Sequence, residues 1–340
     1  GAASLGAAVE YLRSLPPPWV VKTDGLAAGK GVLVTSSLEA AMADVEAKLS
    51  GASFGDAGRT VVIEEGLVGQ EISLMALCDG RRAVPLGVAR DFKRVGEGDS
   101  GPNTGGMGAF SPVLGMGPAE ASALTAQMVQ PVVDALRESG IDYRGIIYAG
   151  LMLTPDGPKM IEINVRLGDP EAQVLMPRWE GDVAAVMSAA AAGDLDGSAP
   201  PVLSADSAVC VVLAAEGYPG AVRSGDPISG IDEVGAAEGV CVFAGGVAEG
   251  PAGGLVTSGG RVLGVTGMGP TLEEARERAY RGAGLLRWDG MTFRGDIAAP
   301  AVVPVAPGEW EVLGEPLGNA SGGSGAEGSP SGGSGAEWSA

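Results

Sequence analysis

Two short apolar β runs, Trp19 to Lys22 and Val32 to Thr35, flank the stretch Thr23-Asp24-Gly25-Leu26-Ala27-Ala28-Gly29-Lys30-Gly31. Glycine at this density interrupts regular structure and lets the backbone reverse, so the segment reads as a hairpin-like loop with Lys22 on the incoming strand and Lys30 on the turn. It does not have P-loop spacing. Gly25 to Lys30 is one residue short, and Gly31 stands where Ser or Thr is required. What remains is a backbone cradle whose two lysines can reach the phosphates of one nucleotide; a plain surface hairpin is the competing reading.

The rest of the chain continues in short elements. Ser36 and Glu39 have capping-box spacing ahead of Leu38, Met42 and Val45, which predicts a helix before a strand at Thr60 to Ile63. A turn at Gly66 to Gly69 leads to strands Glu71 to Cys78 and Ala83 to Ala89, then to a long loop from Asp91 to Pro112. Pro118 to Ser139 has helical periodicity with a kink expected near Pro131. Strands are expected at Ile146 to Leu153 and Lys159 to Val165. A separate α+β unit follows, with strands at Ala208 to Leu213, Val240 to Phe243 and Arg261 to Thr266, and a helix from a Thr271 cap to about Leu286. After about Pro307 the composition turns to Gly, Ser, Ala and Glu, as in a flexible linker. The fold class expected is α+β.

Composition narrows the chemistry. Forty-two acidic against 22 basic residues give a formal charge of -20, which repels a phosphate backbone and argues against nucleic acid as a partner. Histidine is absent, so Ser-His-Asp and Cys-His nucleophiles and His-bound metals are excluded. The three cysteines, Cys78, Cys210 and Cys241, suit reduced thiols better than a disulfide framework. No apolar stretch is long enough for a membrane span. Gly1 to Glu10 has neither a secretory pattern nor an initiator Met, and the expectation is a chain cut from something longer.

Three further stretches carry candidate chemistry. Along Lys159 to Arg166 the alternation places Glu162, Asn164 and Arg166 on one face and Ile161, Ile163 and Val165 on the other. Oxygens at that spacing suit a hard divalent cation shared with nucleotide phosphates, and Arg166 can clamp a transferred phosphate; an amphipathic solvent-facing strand is the alternative. Glu64-Glu65-Gly66-Leu67 is a hinge able to bind adenine, with Glu71 on ribose hydroxyls, or else a pair of solvated acids. The Asp91 to Pro112 loop, with Asp91, Lys93, Arg94 and Asn103 among its glycines, favours close approach of a polar anionic ligand over plain disorder.

Taken in order, Val20-Val21-Lys22-Thr23-Asp24-Gly25-Leu26-Ala27-Ala28-Gly29-Lys30-Gly31, Glu64-Glu65, Gly101-Pro102-Asn103-Thr104-Gly105-Gly106-Met107-Gly108 and Arg166-Leu167-Gly168-Asp169-Pro170-Glu171 resemble the glycinamide ribonucleotide synthetases, also called phosphoribosylamine-glycine ligases. The likeness continues through Gly217-Tyr218-Pro219-Gly220 and Gly259-Gly260-Arg261-Val262-Leu263-Gly264-Val265-Thr266, covering most of Pro18 to about Ile297. It implies an ATP-grasp fold, two α+β subdomains clasping ATP, with a small C-terminal α+β domain. Residues 1–65 would be the lid subdomain, 66–200 the large subdomain, 201–307 the C-terminal domain and 308–340 a flexible tail. It also implies a reaction in which ATP phosphorylates glycine and the amine of 5-phosphoribosylamine displaces phosphate, in purine biosynthesis in the cytoplasm.

By the same resemblance Lys22, Gly29, Lys30 and Gly31 hold ATP phosphates, and Glu64, Glu65, Leu67 and Glu71 the nucleoside. Glu162 and Asn164 bind magnesium or manganese. Asp91, Lys93, Arg94, Asn103, Gly105, Gly106, Met107 and Arg166 face the substrates, with Arg166, Lys30 and Asp91 in the catalytic roles. The chain is expected to depart from the family in three ways: Phe92 stands where the family commonly has histidine, the usual histidine in the segment near Phe243 is missing, and the Rossmann-like N-terminal domain does not precede Gly1. The expected assembly is a monomer, or a segment of a longer chain carrying other purine-pathway domains. The rival expectation is an ATP-binding fragment without ligase activity.

Overall fold

The structure, a computed structural model, describes residues 4–25, 31–198, 200–251 and 253–299. Gly29 and Lys30 of the expected cradle and the 308–340 tail lie outside the described residues.

The N-terminal layer is an antiparallel sheet of β1 (Trp19–Thr23), β2 (Val32–Thr35) and β3 (Val61–Glu65), in the order β2-β1-β3, backed by α1 (Leu5–Ser14) and α2 (Leu38–Leu49). Period-two alternation divides its faces. Trp19, Val21, Val61 and Ile63 are buried against Ala8, Leu12, Ala41 and Val45 of the helices. Val20, Lys22, Val34 and Glu64 point the other way and line a cleft. The cap of α2 is Ser37, whose Oγ accepts from the Ala40 amide at 3.2 Å, and not the expected Ser36. The cause is local: the Ser37 amide itself donates to Thr35 Oγ1, which sets the helix entry one residue later.

Gly66 and Gly69 join this layer to the next. A Cβ on Gly66 would lie 2.1 Å from the Pro18 carbonyl oxygen, and one on Gly69 2.0 Å from that of Leu153, so the chain crosses where only glycine fits. It then enters β4 (Gln70–Asp79) and β5 (Ala83–Asp91). The expected loop beyond Asp91 is instead largely extended. β6 (Arg94–Gly96) and β7 (Ser100–Asn103) form a small hairpin, and β8 (Gly108–Ser111) enters the main sheet beside β5. Glycine concealed these strands: Gly98 and Gly101 turn the hairpin with positive φ, and a Cβ on Gly108 would lie within 3 Å of Cys210 and Ile297 atoms.

The helical stretch after Gly117 is α3 (Pro118–Leu124), a π turn over Thr125–Val129, and α4 (Gln130–Glu138). The Gln130 amide bonds the Thr125 carbonyl five residues back, so Pro131, which has no amide hydrogen, falls in the first turn of a new helix. β9 (Arg144–Thr154) and β10 (Gly157–Asn164) follow, then α5 (Ala172–Leu175), β11 (Trp179–Glu180), α6 (Val183–Ala192) and β12 (Val202–Leu203). Next come β13 (Ser207–Ala214), α7 (Ile231–Gly235), β14 (Val240–Ala244), β15 (Val247–Glu249), β16 (Leu255–Thr257), β17 (Arg261–Gly269) and α8 (Leu272–Ala283), capped by Thr271.

Eight of these strands form one sheet, β10-β9-β4-β5-β8-β13-β17-β14. Its middle is buried on both faces, as strand runs without polar alternation require. Ile72, Leu74, Ala76 and Cys78 pack on one side with Val129, Val133, Ala279 and Ala283; Met75 and Leu77 pack on the other with Leu175, Val186 and Ala190. Cys78 and Cys210 are buried thiols and Cys241 is exposed, all unpaired. No helix among the described residues is long and apolar enough to cross a membrane.

Candidate active site

The small sheet and the β10-β9-β4 end of the large one face each other across a cleft of about 1050 Å³. Its two ends differ chemically. At one end Val20 and Val34 from the small sheet and Met152 and Met160 from β9 and β10 line it, beside the hinge Glu64, Glu65 and Leu67. Four apolar side chains with carboxylates and backbone at the rim make a slot for a flat ring with polar edges. At the other end are Asp91, Lys93, Arg94, Asn103, Gly105, Glu162, Asn164 and Arg166, contributed by β5, the β6–β7 hairpin, β10 and the residues that adjoin them.

Strand register explains how residues far apart in sequence meet there. β4 pairs with β9 so that Glu71 lies opposite Met152 and Ser73 opposite Gly150; β10 pairs with β9 so that Glu162 lies opposite Gly150 and Asn164 opposite Tyr148. Glu71, Ser73, Tyr148, Met152, Glu162 and Asn164 therefore share one face. Gly150 leaves room for this arrangement, since a Cβ there would lie 3.0 Å from Glu162 Cγ.

The alternation expected of Lys159 to Arg166 is corrected in one respect. Glu162, Asn164 and Arg166 face the cleft as expected, but a bulge between Met160 and Glu162 turns Ile161 toward it as well. Ile163 and Val165, on the opposite face as expected, are 41% and 69% exposed, and β10 is the edge strand of the sheet. The bulge also frees the Ile161 carbonyl. Lys22 Nζ donates to it at 3.1 Å and pairs with Glu64 Oε2 at 2.6 Å, so one lysine ties the two walls together.

Lys93 is the electrostatic centre of the polar end. It contacts the Glu71 carboxylate, and Glu162 Oε1 lies 3.9 Å away. Burial opposes its charge, but Asp91, Glu71 and Glu162 more than offset this and hold the ammonium above its ordinary value. For Asp91 burial dominates, and with Glu171 and Glu71 adding to it the carboxyl rises well above the usual carboxylate range in spite of Lys93. Beneath these groups Glu171 Oε1 accepts from Tyr148 Oη at 2.8 Å and from Ser73 Oγ at 3.1 Å. Burial and the nearby carboxylates push the Tyr148 hydroxyl far up, so it stays a donor.

Of the other expected residues, Gly31, Gly106 and Met107 are buried and do not line the cleft. Gly106 serves packing: its φ is 111°, and a Cβ would lie 2.4 Å from Pro170 Cδ. Phe92 is also absent from the cleft wall. It is 1% exposed, packed on Phe110 at a ring separation of 6.2 Å, with the Arg90 and Arg294 guanidinium groups 5.6 Å and 5.0 Å from its ring centre.

Sequence reasoning gave no role to Met152 and Met160, whose apolar character marks them as core, to Arg90 and Tyr148, which carry no motif, or to Tyr218, which stands in the Gly217–Gly220 motif of the resemblance without an assigned part in the site. Nor did it give a site role to Arg261 of β17, which the resemblance includes only as part of the Gly259–Thr266 motif. That side chain donates to the Gly105 carbonyl at 2.7 Å and the Asp169 carbonyl at 2.5 Å, and pairs with the Asp169 carboxylate at 2.9 Å, clasping two loops at the cleft rim.

Residues 2–172 match the family profile described as phosphoribosylglycinamide synthetase, ATP-grasp (A) domain, and residues 208–300 match that of the C domain. The chain is 47% identical over 296 residues to the phosphoribosylamine–glycine ligase of Caulobacter vibrioides, covering 87% of this chain and 68% of that one. It is 48% identical over 294 residues to the chloroplastic enzyme of that name from Arabidopsis thaliana, covering 86% of this chain and 55% of the relative. Among solved structures, the phosphoribosylamine–glycine ligase of Thermotoga maritima superposes with a TM-score of 0.74 at 39% identity, covering 87% of this chain and 73% of that one. The N5-carboxyaminoimidazole ribonucleotide synthetase of the same organism, at 18% identity and a TM-score of 0.54, shares the fold; the match covers 84% of this chain and 66% of that one.

Proposed function

The chain belongs to the phosphoribosylglycinamide synthetase family of ATP-grasp ligases, and from that premise we propose that it joins glycine to 5-phosphoribosylamine, converting ATP to ADP and phosphate. The observation that carries this reading is the two-ended cleft, with an apolar slot beside a hinge at one end and a cluster of cations and carboxylates at the other. Adenine fits the slot, with Glu64, Glu65 and Leu67 at its edge and Glu71 reaching the ribose. Lys22, released from Glu64, turns to the phosphates, together with Gly29 and Lys30 of the glycine-rich turn. Residues 1–65 and 66–200 would then be the two jaws, and 201–307 the C-terminal domain that supports the substrate end.

Nine carboxylates and five cationic side chains line the cleft, so it is acidic overall. A polyanionic nucleotide enters such a site favourably only together with divalent cations. Among the described residues no group of three or more Asp, Glu, Cys or His is placed to hold a metal alone. Glu162 and Asn164 supply two hard oxygens, which suits magnesium or manganese completing its shell with phosphate oxygens and water. A cation there neutralises charge on the phosphoryl group in transfer.

In the proposed reaction a glycine carboxylate oxygen bonds to the γ-phosphorus as the bond to ADP breaks, and the amine then bonds to the acyl carbon as phosphate leaves. Arg166 and Lys93 face the transferred group, where fixed cations lower the barrier most. Asp91, raised by burial in the free chain, would take the proton that the attacking amine sheds once cations bound with the nucleotide return its carboxyl to the ionised form. Arg94, Asn103 and the Gly105 backbone orient the substrates. Cytoplasmic location and a monomeric state, or fusion to other purine-pathway domains, complete the proposal.

Nucleotide binding is testable by melting. Mg-ATP at about 1,000 times its dissociation constant is expected to stabilise the chain by roughly 4 kcal/mol. The shift should shrink when magnesium is chelated, and in Glu162→Ala or Asn164→Ala even with magnesium present. An unchanged melting temperature at millimolar Mg-ATP would remove the nucleotide from the account.

A further inference from the structure

The β6–β7 hairpin forms part of the cleft wall, but what holds it in place comes from the far end of the described chain. Arg294, 1% exposed, donates Nη1 to the Arg94 carbonyl at 3.0 Å and to Asp99 Oδ1 at 2.8 Å. Its Nε and Nη2 each reach an Asp296 carboxylate oxygen at 2.7 Å. Asp296 Oδ2 in turn accepts from the Gly98 amide at 2.8 Å, and Glu97 Oε1 accepts from the Gly295 amide at 3.0 Å. The segment is itself tied to α8: Tyr280 Oη donates to the Arg294 carbonyl at 2.8 Å, and Arg276 Nη2 donates to that of Gly295 at 2.7 Å.

A three-residue strand paired with a four-residue one through a shifted register has little stability of its own. An apolar side chain could fill the volume Arg294 occupies without the cost of burying a charge. It could not fix the hairpin's backbone and its tip carboxylate at the same time, as a guanidinium fork does. The hairpin presents Arg94, Asp99 and Asn103 to the cleft, at the end away from the hinge and apolar slot.

We propose that Arg294 is a positioning residue for the co-substrate end of the cleft: through the Arg94 carbonyl and Asp99 it sets where the hairpin meets the small amine- and carboxylate-bearing reactants, leaving the nucleotide slot unaffected. This rests on the ligase reading of the cleft. Arg294→Lys keeps the charge but cannot span the same acceptors. Glu97→Gln weakens only the outer contact, from an exposed residue, and serves if the lysine variant folds poorly. Arg281→Ala, which removes an exposed cation from the last turn of α8, is the control.

On the full chain, hydrogen exchange of amides 94–103, affinity for a non-hydrolysable Mg-ATP analogue, and kcat and KM for glycine and for freshly generated phosphoribosylamine separate the possibilities. In Arg294→Lys, exchange should quicken about 10-fold or more and stay confined to the hairpin, since a charge-assisted contact is lost. At least one of the two KM values should rise about 10-fold, with analogue affinity within about 2-fold of the parent and Glu97→Gln intermediate. Unchanged hairpin exchange overturns the proposal. So does loosening of the whole chain with parallel loss of nucleotide affinity, the mark of a purely structural residue. If the parent binds the analogue but does not turn over, the ligase reading fails while hairpin exchange and analogue affinity still decide whether Arg294 acts on the hairpin alone.

Discussion

Lys93→Met is expected to lower turnover by about 1,000-fold, the scale seen when a fixed charge aimed at a developing anion is removed. The same change should destabilise the ligand-free chain by roughly 1–3 kcal/mol, less than a fully buried pair because Lys93 keeps some contact with water. The reason lies in its partners. Glu71 and Glu162 share this ammonium, and its charge opposes the burial that raises the Asp91 carboxyl. Without it, like charges converge on one face of β4, β5 and β10. Magnesium ions should then stabilise the variant more than the parent, since the freed carboxylates offer them a better site. Equal magnesium response of parent and variant in thermal melts, with turnover within 10-fold, would show that Lys93 is an ordinary rim residue.

Asp91→Asn is expected to separate stability from activity. Burial raises the Asp91 carboxyl above its ordinary value of 3.8, so above that pH the folded chain holds a proton that the unfolded chain has released. The stability contributed by this group therefore falls as pH rises from about 4 toward the folded-state value, and is level above it. Asparagine escapes this penalty. The variant should melt higher than the parent at pH 7.5, with the gap narrowing toward pH 4.5, while turnover falls about 100-fold or more through loss of the proton acceptor. A variant less stable than the parent at pH 7.5, or a gap that does not move with pH, contradicts the assignment of Asp91 as a group raised by burial.

The cleft was legible in the sequence where strand periodicity alone decides orientation. Lys22 follows Val20 on one face of β1, and Glu162, Asn164 and Arg166 recur at every second residue, so their common direction needed no tertiary information. The bulge at Ile161 could not be read, because it depends on how β10 pairs with β9. Met152 and Met160 are apolar, and apolarity does not say whether a side chain meets a core or a ligand. The hairpin at Arg94 to Asn103 read as a loop since its glycines mark turns and hide the strands between them. Arg261 and Arg294 were invisible as site residues for a different reason: they act on loops 92 to 200 positions away in the chain, through contacts that exist only once the eight-stranded sheet has brought β17 and the residues after α8 to the cleft. Phe92 shows the converse. The resemblance singled it out, and the fold buries it away from the cleft lining, with the Arg90 and Arg294 guanidinium groups over its ring.

The central claim is that this cleft couples ATP cleavage to activation of a carboxylate for attack by an amine. Release of ADP by the 340-residue chain, measured with Mg-ATP, glycine and freshly generated phosphoribosylamine and with each omitted in turn, tests it most directly. The account predicts ADP and glycinamide ribonucleotide in equal amounts, dependent on both glycine and the amine and lost in Lys93→Met. ADP release indifferent to glycine, or nucleotide binding with no glycine-dependent release at all, would contradict it.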